Sequence, residues 1–301
     1  MNRVVCIGEC MIEAIAGRGN DGLDRFAGDT FNTAVYMARE SRAHEVHFLT
    51  AVGQDLPSAQ MVQAMRREGL RVDNILARPD RTVGRYTIHN DRRGERSFTY
   101  EREQSAARTL FDDPGSAGEL LRRLDPDLVY LSGISLAILP ESAREQLFFA
   151  LSTRGSVVAF DPNYRPPLWE DAAHARRWVQ AFAQISRYLL TSLEDDRLLL
   201  GLDSPEQSQA YWREAIPGEL VIKNGGHSVI VVPGSDEIRA APIVVPVIEE
   251  TQPVDTTGAG DAFNGVYLIQ RLMGMDPTAA AAASINLCSK VVMSPGAILP
   301  L

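Results

Sequence analysis

Short apolar or β-branched runs alternate with stretches of helical spacing along most of the chain. RVVCIG (3–8), VHFLTAVG (46–53), DLVYLSG (127–133), SVVAFD (156–161) and YLLTS (188–192) have the unbroken apolar character of strands buried on both faces. Between them PSAQMVQAMRREG (57–69), ESAREQLFFALSTRG (141–155) and DAAHARRWVQAFAQIS (171–186) carry apolar residues at helical spacing. ELVIKNGGHSVIVVPG (219–234) predicts two strands around a Gly-rich turn, and helices over about 261–273 and 277–292 end the pattern. Such alternation predicts an α/β fold, a mostly parallel sheet with helices on both faces.

One region departs from it. RYTIHNDRRGERSFTYER (85–102) reads as a hairpin, two period-two strands around a polar turn. On its second strand Phe98, Tyr100 and Arg102 share one face, and Thr99 and Glu101 the other. EAIAGRGNDGLDRFAGD (13–29) also fits no strand–helix unit and is expected to pair with the hairpin. The expectation is one domain, 1–301, with a small β lid from about 13–29 and 84–103 inserted in the α/β core. No internal repeat or low-complexity linker interrupts it.

Composition narrows the function. Of 301 residues 45% are hydrophobic and 23% charged, which suits a soluble globular protein with a large core. The net charge of −9, from 30 basic and 39 acidic residues, argues against a nucleic-acid or anionic-membrane surface. No apolar stretch reaches the length of a membrane span or a signal peptide, and the three cysteines suit a reducing cytoplasm. Cys6 and Cys10 lack companion ligands for a metal site and are expected to be buried apolar residues. The five histidines form no spaced cluster.

The segment with the most chemistry is DTTGAGDAF (255–263). Phe263, Val266, Tyr267, Ile269, Leu272 and Met273 follow at helical spacing, so Gly258, Ala259 and Gly260 form a helix entry. There the backbone N–H groups are unpaired and the dipole is positive, an anion site that small residues leave open to a phosphate. It is neither a dinucleotide fingerprint nor a Walker loop, because Phe263 stands where a third glycine would be and no Gly-Lys-Ser/Thr follows. A carboxylate beside an anion hole is the minimum that phosphoryl transfer to a hydroxyl requires, and Asp261 suits the base. An aspartate there equally suits a helix cap. Asp29 and Asn32 stand at a second helix entry, after Gly28, and are expected at the ligand end of the sheet, with capping the plainer role for Asp29. Arg165 follows SVVAFD, and Arg102 comes from the hairpin. Two guanidinium groups converging on one cleft suit a carboxylate ligand.

DTTGAGDAF closely resembles the carboxyl-terminal motif of the ribokinase-like (PfkB) carbohydrate kinases. GECMIE (8–13), AGDTFNTAVYMAR (27–39), GERSFTYER (94–102), YLSGISLAIL (130–139) and FDPNYRPPLW (160–169) extend the resemblance over nearly the whole chain. The latter stretches are similar in particular to the branch that phosphorylates 2-keto-3-deoxygluconate. The resemblance implies a ribokinase-like three-layer sandwich, ATP and Mg2+ as cofactors, and Asp261 as catalytic base. It implies that Gly28, Asp29, Asn32, Tyr86, Tyr100, Arg102, Arg165 and Asp255 serve the sugar. On the nucleotide side it implies Ser192, Lys223, Gly225, Gly226, Gly258 and Gly260, with Asp195 acting on the metal through water. In this chain Ser228 replaces a common second glycine, and Ser192-Leu193-Glu194-Asp195 replaces the family's Asn-x-x-Glu, so that Glu194 competes with Asp195 for the role. Ser294-Pro295-Gly296-Ala297 resembles the segment that closes the adenine pocket and a monovalent-cation (K+) site. A homo-oligomer packed through the lid is also expected, since an isolated hairpin leaves an open edge.

Two rivals remain at this stage. One is a ribokinase-like kinase of a neutral sugar, fructose or ribose, to which paired arginines offer nothing. The other is a non-catalytic sugar or nucleotide sensor on the same fold, against which Asp261 and the intact Gly-Ala-Gly argue.

Overall fold

The computed structural model describes residues 2–16, 25–90, 96–234, 241–247 and 252–300. Its strands are β1 (Arg3–Ile7), β2 (Met11–Ile15), β3 (Arg25–Ala27), β4 (Glu45–Leu49), β5 (Ala51–Val52), β6 (Leu76–Ala77) and β7 (Arg85–Asn90). They continue with β8 (Arg96–Glu101), β9 (Leu128–Ser132), β10 (Val157–Asp161), β11 (Tyr188–Ser192), β12 (Glu219–Asn224), β13 (Ser228–Val232) and β14 (Ile243–Pro246). The helices are α1 (Asp29–Glu40), α2 (Leu56–Arg67), α3 (Ser116–Leu124), α4 (Gly133–Ile138) and α5 (Glu141–Arg154). After these come α6 (Ala172–Gln184), α7 (Leu193–Leu200), α8 (Pro205–Ala215), α9 (Ala259–Leu272) and α10 (Pro277–Val291).

Eight strands make the main sheet in the order β14-β13-β12-β11-β10-β9-β1-β4. It is parallel from β4 to β12, and β13 and β14 add antiparallel. The alternation of side chains along each strand divides the core in two. Val5 and Ile7 pack with Leu121 of α3, Leu147 of α5, Phe182 of α6 and Trp212 of α8 on one face. Val4 and Cys6 pack with Phe31 of α1, Met61 of α2, Tyr267 of α9 and Ala280 of α10 on the other. Burial on both faces is why these strands read as continuous apolar runs, and helix–sheet–helix layering is a three-layer sandwich. Cys6 and Cys10 are buried. Among the described residues no helix is long and apolar enough to cross a membrane.

A second sheet, β3-β2-β7-β8, stands beside the first. β2 runs parallel to β7 with Glu13 opposite Tyr86, and β7 and β8 are antiparallel with Tyr86 opposite Tyr100 and Ile88 opposite Phe98. The segment expected from residue 13 therefore begins at Met11. Its residues 17–24, and the hairpin turn at 91–95, lie outside the described residues.

VHFLTAVG is two strands rather than one. β4 ends at Leu49, whose carbonyl accepts from Gly8 N, and β5 leaves the main sheet to pair with β6. α3, α7, α8 and β14 are not among the elements expected from the sequence. The first three are short, and β14 offers only four residues beside a proline.

Candidate active site

α9 begins at Ala259, with Gly258 as its N-cap at φ 76° and no side chain capping it. Only glycine enters a left-handed turn there without strain, and a Cβ on Gly258 would stand 2.6 Å from Ala297 Cβ. Gly260 is different. Its backbone is not left-handed, and a Cβ there would meet nothing nearer than Lys223 Nζ at 3.7 Å. Packing demands Gly258, whereas the space at Gly260 is left open beside an ammonium group at the start of a 14-residue helix, where the Ala259 N–H donates to Thr256 O at 3.3 Å.

Asp261 is the third residue of α9 and caps nothing. Its Oδ2 accepts from Asn32 Nδ2 at 2.9 Å, and its carbonyl accepts from Thr33 Oγ1 at 3.2 Å. Burial pushes the Asp261 carboxyl up to about 7, with the Asp29 and Asp161 carboxylates adding to the rise and the Asn32 bond and Lys223 opposing it. A carboxylate poised near neutrality suits proton transfer at ordinary pH.

α1 opens one residue after Gly28, where a Cβ would run into the Glu9 carbonyl oxygen. Asn32 N donates to Gly28 O, which sets the first turn and sends the Asn32 side chain to Asp261. Asp29 accepts from Asn163 Nδ2 at 2.8 Å and makes no cap bond. Thus Gly28, Asp29, Asn32 and Asp261 are brought together where two helices begin.

Beneath them lies a buried polar cluster. Asp161, at the end of β10, accepts from Lys223 Nζ at 2.8 Å, Asn264 Nδ2 at 2.6 Å and the Asn163 backbone N–H at 3.0 Å. Asn264 also accepts from Lys223 at 3.1 Å and donates to the Tyr130 hydroxyl, which lies 3.3 Å from Thr33 Oγ1. Asp161, Asn163 and Asn264 were missed as site residues. Asn264 had a signal, a polar residue one turn beyond Asp261 on the apolar face of its helix, where burial requires partners.

The nucleotide-side residues are more dispersed. Ser192 caps α7, accepting from Asp195 N and donating to Asp195 Oδ2. Asp195 Oδ1 accepts the Tyr164 N–H at 3.1 Å and Arg165 Nη1 at 3.2 Å. Burial and the nearby Asp161 charge push the Asp195 carboxyl up to about 6, against the pull of Ser192, Arg165 and Lys223. Glu194 is exposed. Among the described residues no three His, Cys, Asp or Glu side chains gather to hold a metal. Gly225 and Gly226 lie exposed in the β12–β13 turn, Gly225 at φ 53°. Asp255 is buried and accepts from Thr257 N and Gly296 N, clamping the helix entry to the carboxyl-terminal loop.

Both arginines expected at a ligand carboxylate already face a carboxylate of the chain itself. Arg165 is half-exposed and paired with Asp195, and Arg102 is buried and paired with Glu9. On the small sheet the Tyr86 hydroxyl donates to Glu13. The Tyr86 ring lies 6.0 Å from Tyr100 and 6.2 Å from Phe98, and the Arg102 guanidinium lies 6.0 Å from the Tyr100 ring.

The family model for pfkB family carbohydrate kinases matches residues 1–301. The chain belongs to the pfkB family of carbohydrate kinases. It is 35% identical to the 2-dehydro-3-deoxygluconokinase of Dickeya dadantii over 303 residues, covering 99% of this chain and 97% of that one. The Escherichia coli K12 protein of the same name matches with the same identity and coverage. The crystal structure of 2-dehydro-3-deoxygluconokinase from Thermotoga maritima superposes with a TM-score of 0.79 at 20% identity, covering 100% of this chain and 97% of that chain. The Asn32–Asp261 hydrogen bond joins the helix entry at Gly258–Asp261 to the α1 entry at Gly28–Asn32.

Proposed function

We propose that this carbohydrate kinase transfers the γ-phosphoryl group of ATP to the terminal hydroxyl of 2-keto-3-deoxygluconate, giving the 6-phosphate. One observation carries the chemistry. Asp261, neither cap nor salt-bridge partner among the described residues, stands at the N-terminus of α9 one residue after a glycine whose Cβ position is open. In this reading Asp261 takes the hydroxyl proton, and the N–H groups of Gly258, Ala259 and Gly260 hold the charge on the moving phosphoryl group. Asn32 orients Asp261, while Gly28 and Asp29 meet the sugar hydroxyls.

ATP fits the chain's own residues at Gly260 and Lys223, where open backbone and an ammonium group meet. Ser192 and the Gly225–Gly226 turn border the same end of the sheet. Mg2+ would be held chiefly by nucleotide phosphates and water, since no carboxylate cage is present among the described residues. When bound it supplies charge neutralisation. The K+ site implied by the 294–297 segment would lie beside the Asp255 clamp.

The acid group of the substrate is assigned to Arg165 and Arg102. The named relatives at 35% identity support that substrate over a neutral sugar. The small sheet is read as a lid, with Tyr86 and Tyr100 meeting the substrate, inserted in one kinase domain working in the cytoplasm. Self-association through the lid belongs to the same reading.

The deciding experiment is an ATP-consumption assay of the purified protein with 2-keto-3-deoxygluconate, fructose and ribose side by side. Turnover of the sugar acid at least tenfold above either neutral sugar is expected. Preference for fructose or ribose would establish the neutral-sugar kinase instead, and no turnover of any would favour a sensor.

A further inference from the structure

The small sheet joins the core by four chain crossings: Gly8–Cys10 into β2, Gly28 out of β3, Gly84 into β7, and Arg102 out of β8. All four converge on Glu9. A Cβ on Gly28 would strike the Glu9 carbonyl oxygen, and one on Gly84 would stand 2.8 Å from Glu9 Oε1 and 3.3 Å from Arg102 Cβ. Glu9 Oε2 accepts from Arg102 Nη2. Gly84 O also accepts from Ile12 N, and Ala106 N donates to Thr82 O, so the third crossing is tied to the first and the fourth.

This hinge pair is almost dry. Glu9 is 3% exposed and Arg102 5% exposed, yet Glu9 Oε1 and Arg102 Nε have no hydrogen-bond partner among the described residues. The neighbouring acids are occupied elsewhere, Glu13 by the Tyr86 hydroxyl and Glu103 by the Arg102 backbone N–H. A buried ion pair with one acceptor and one donor left over is costly to hold, so packing alone is a poor account of it. Its place at the root of the proposed lid suggests a ligand that completes it.

We propose that Glu9 determines specificity as the internal counter-ion of Arg102, so that a sugar-acid carboxylate must share that guanidinium with Glu9. The inference rests on the assignment of Arg102 to the substrate's acid group. With Glu9 ionised the hinge is neutral, and an arriving carboxylate adds an uncompensated charge to a dry site. Affinity for the acid is thereby held down and release is eased. A neutral sugar is indifferent to the balance. Without the Glu9 charge, Arg102 is buried alone until the substrate supplies its partner.

Glu9→Gln in the full chain tests this, since the amide keeps the shape and the acceptor. KM for 2-keto-3-deoxygluconate and fructose, and the melting midpoint with and without each sugar, are measured against wild type. We expect KM for the acid to fall about fivefold or more, the sugar-free midpoint to drop, and the rise on adding the acid to exceed that of wild type. KM for fructose should change less than twofold. An unchanged or raised KM for the acid, or equal changes for both sugars, would overturn the proposal. Should the variant fold only with sugar present, rescue by the acid and not by fructose is required, and rescue by both or neither would sink it. Wild type settles the premise separately. A wild-type enzyme without preference for the acid overturns both assignments, whereas preference with no shift in Glu9→Gln overturns this one alone.

Discussion

Asn32 Nδ2 donates to Asp261 Oδ2 at 2.9 Å, joining the first turns of two helices whose residues lie 229 positions apart. The bond favours the ionised carboxylate, while burial and the Asp29 charge oppose it, and the balance sits at about 7. A base must be ionised to accept a proton, so kcat/KM should fall about tenfold for each unit of pH below that value. Asn32→Ala removes a partner of the charged form, which raises the Asp261 pKa, and the acid limb of the profile should move to higher pH. Asp261→Asn should fold normally and lose about 10²-fold or more in kcat. Near-wild-type turnover in that variant would remove Asp261 from the mechanism.

The two glycines before Asp261 should separate stability from catalysis. Gly258→Ala forces a side chain into a left-handed turn and against Ala297, so its melting midpoint should fall by several degrees, about 1–3 kcal/mol of strain and overlap. Gly260→Ala meets only Lys223 Nζ, at the ordinary contact distance of 3.7 Å, so its midpoint should match wild type. Its methyl group would nevertheless occupy the space assigned to the phosphoryl group, and kcat should fall at least tenfold. Unchanged kcat in folded Gly260→Ala would show that the reacting phosphate lies elsewhere.

The contrast between these glycines shows where sequence reasoning reached and where it stopped. Strands buried on both faces announced themselves as apolar runs, and the entries of α1 and α9 by a glycine before a polar residue and helical spacing. Gly258 and Gly260 look alike in a sequence, because neighbouring atoms from another loop decide which of them needs to be glycine. The counter-ions of Arg102 and Arg165 were equally invisible. Glu9 lies 93 positions from Arg102, and Asp195 lies 30 positions from Arg165. Asp161 read as the last residue of a strand, and its role depends on Lys223 and Asn264 arriving from other elements.

β8 is the outer strand of the small sheet, and Phe98 and Tyr100 on it are 41% and 48% exposed and stacked on each other. An open edge beside exposed aromatic rings is a surface that proteins usually cover. Light scattering at micromolar concentration should therefore give a mass at least twice the 33.1 kDa of one chain. Phe98→Lys places a charge beside that edge and should shift the population toward monomer. A wild-type monomer across that range would show that the rings serve substrate alone.

Arg165 is the substrate-side cation that solvent reaches, and Asp195 at 3.2 Å already partly satisfies it. A substrate carboxylate would therefore replace water on a guanidinium whose remaining N–H groups are available. Removing it in Arg165→Ala should cost a charge-assisted hydrogen bond, about 1.5–3 kcal/mol, or roughly ten- to a hundredfold in kcat/KM for 2-keto-3-deoxygluconate. The acid group lies at the opposite end of the sugar from the reacting hydroxyl, so part of the loss should appear in KM. Lysine should restore only a fraction, since a point charge cannot reproduce the planar fork. Any measurable turnover of fructose should change much less. Asp195→Asn supplies the control: it weakens the internal pair while leaving Arg165 in place, so acid affinity should hold or improve. Equal losses for acid and neutral sugars in Arg165→Ala, mirrored by Asp195→Asn, would mean that Arg165 anchors the start of α7 and that the carboxylate binds elsewhere.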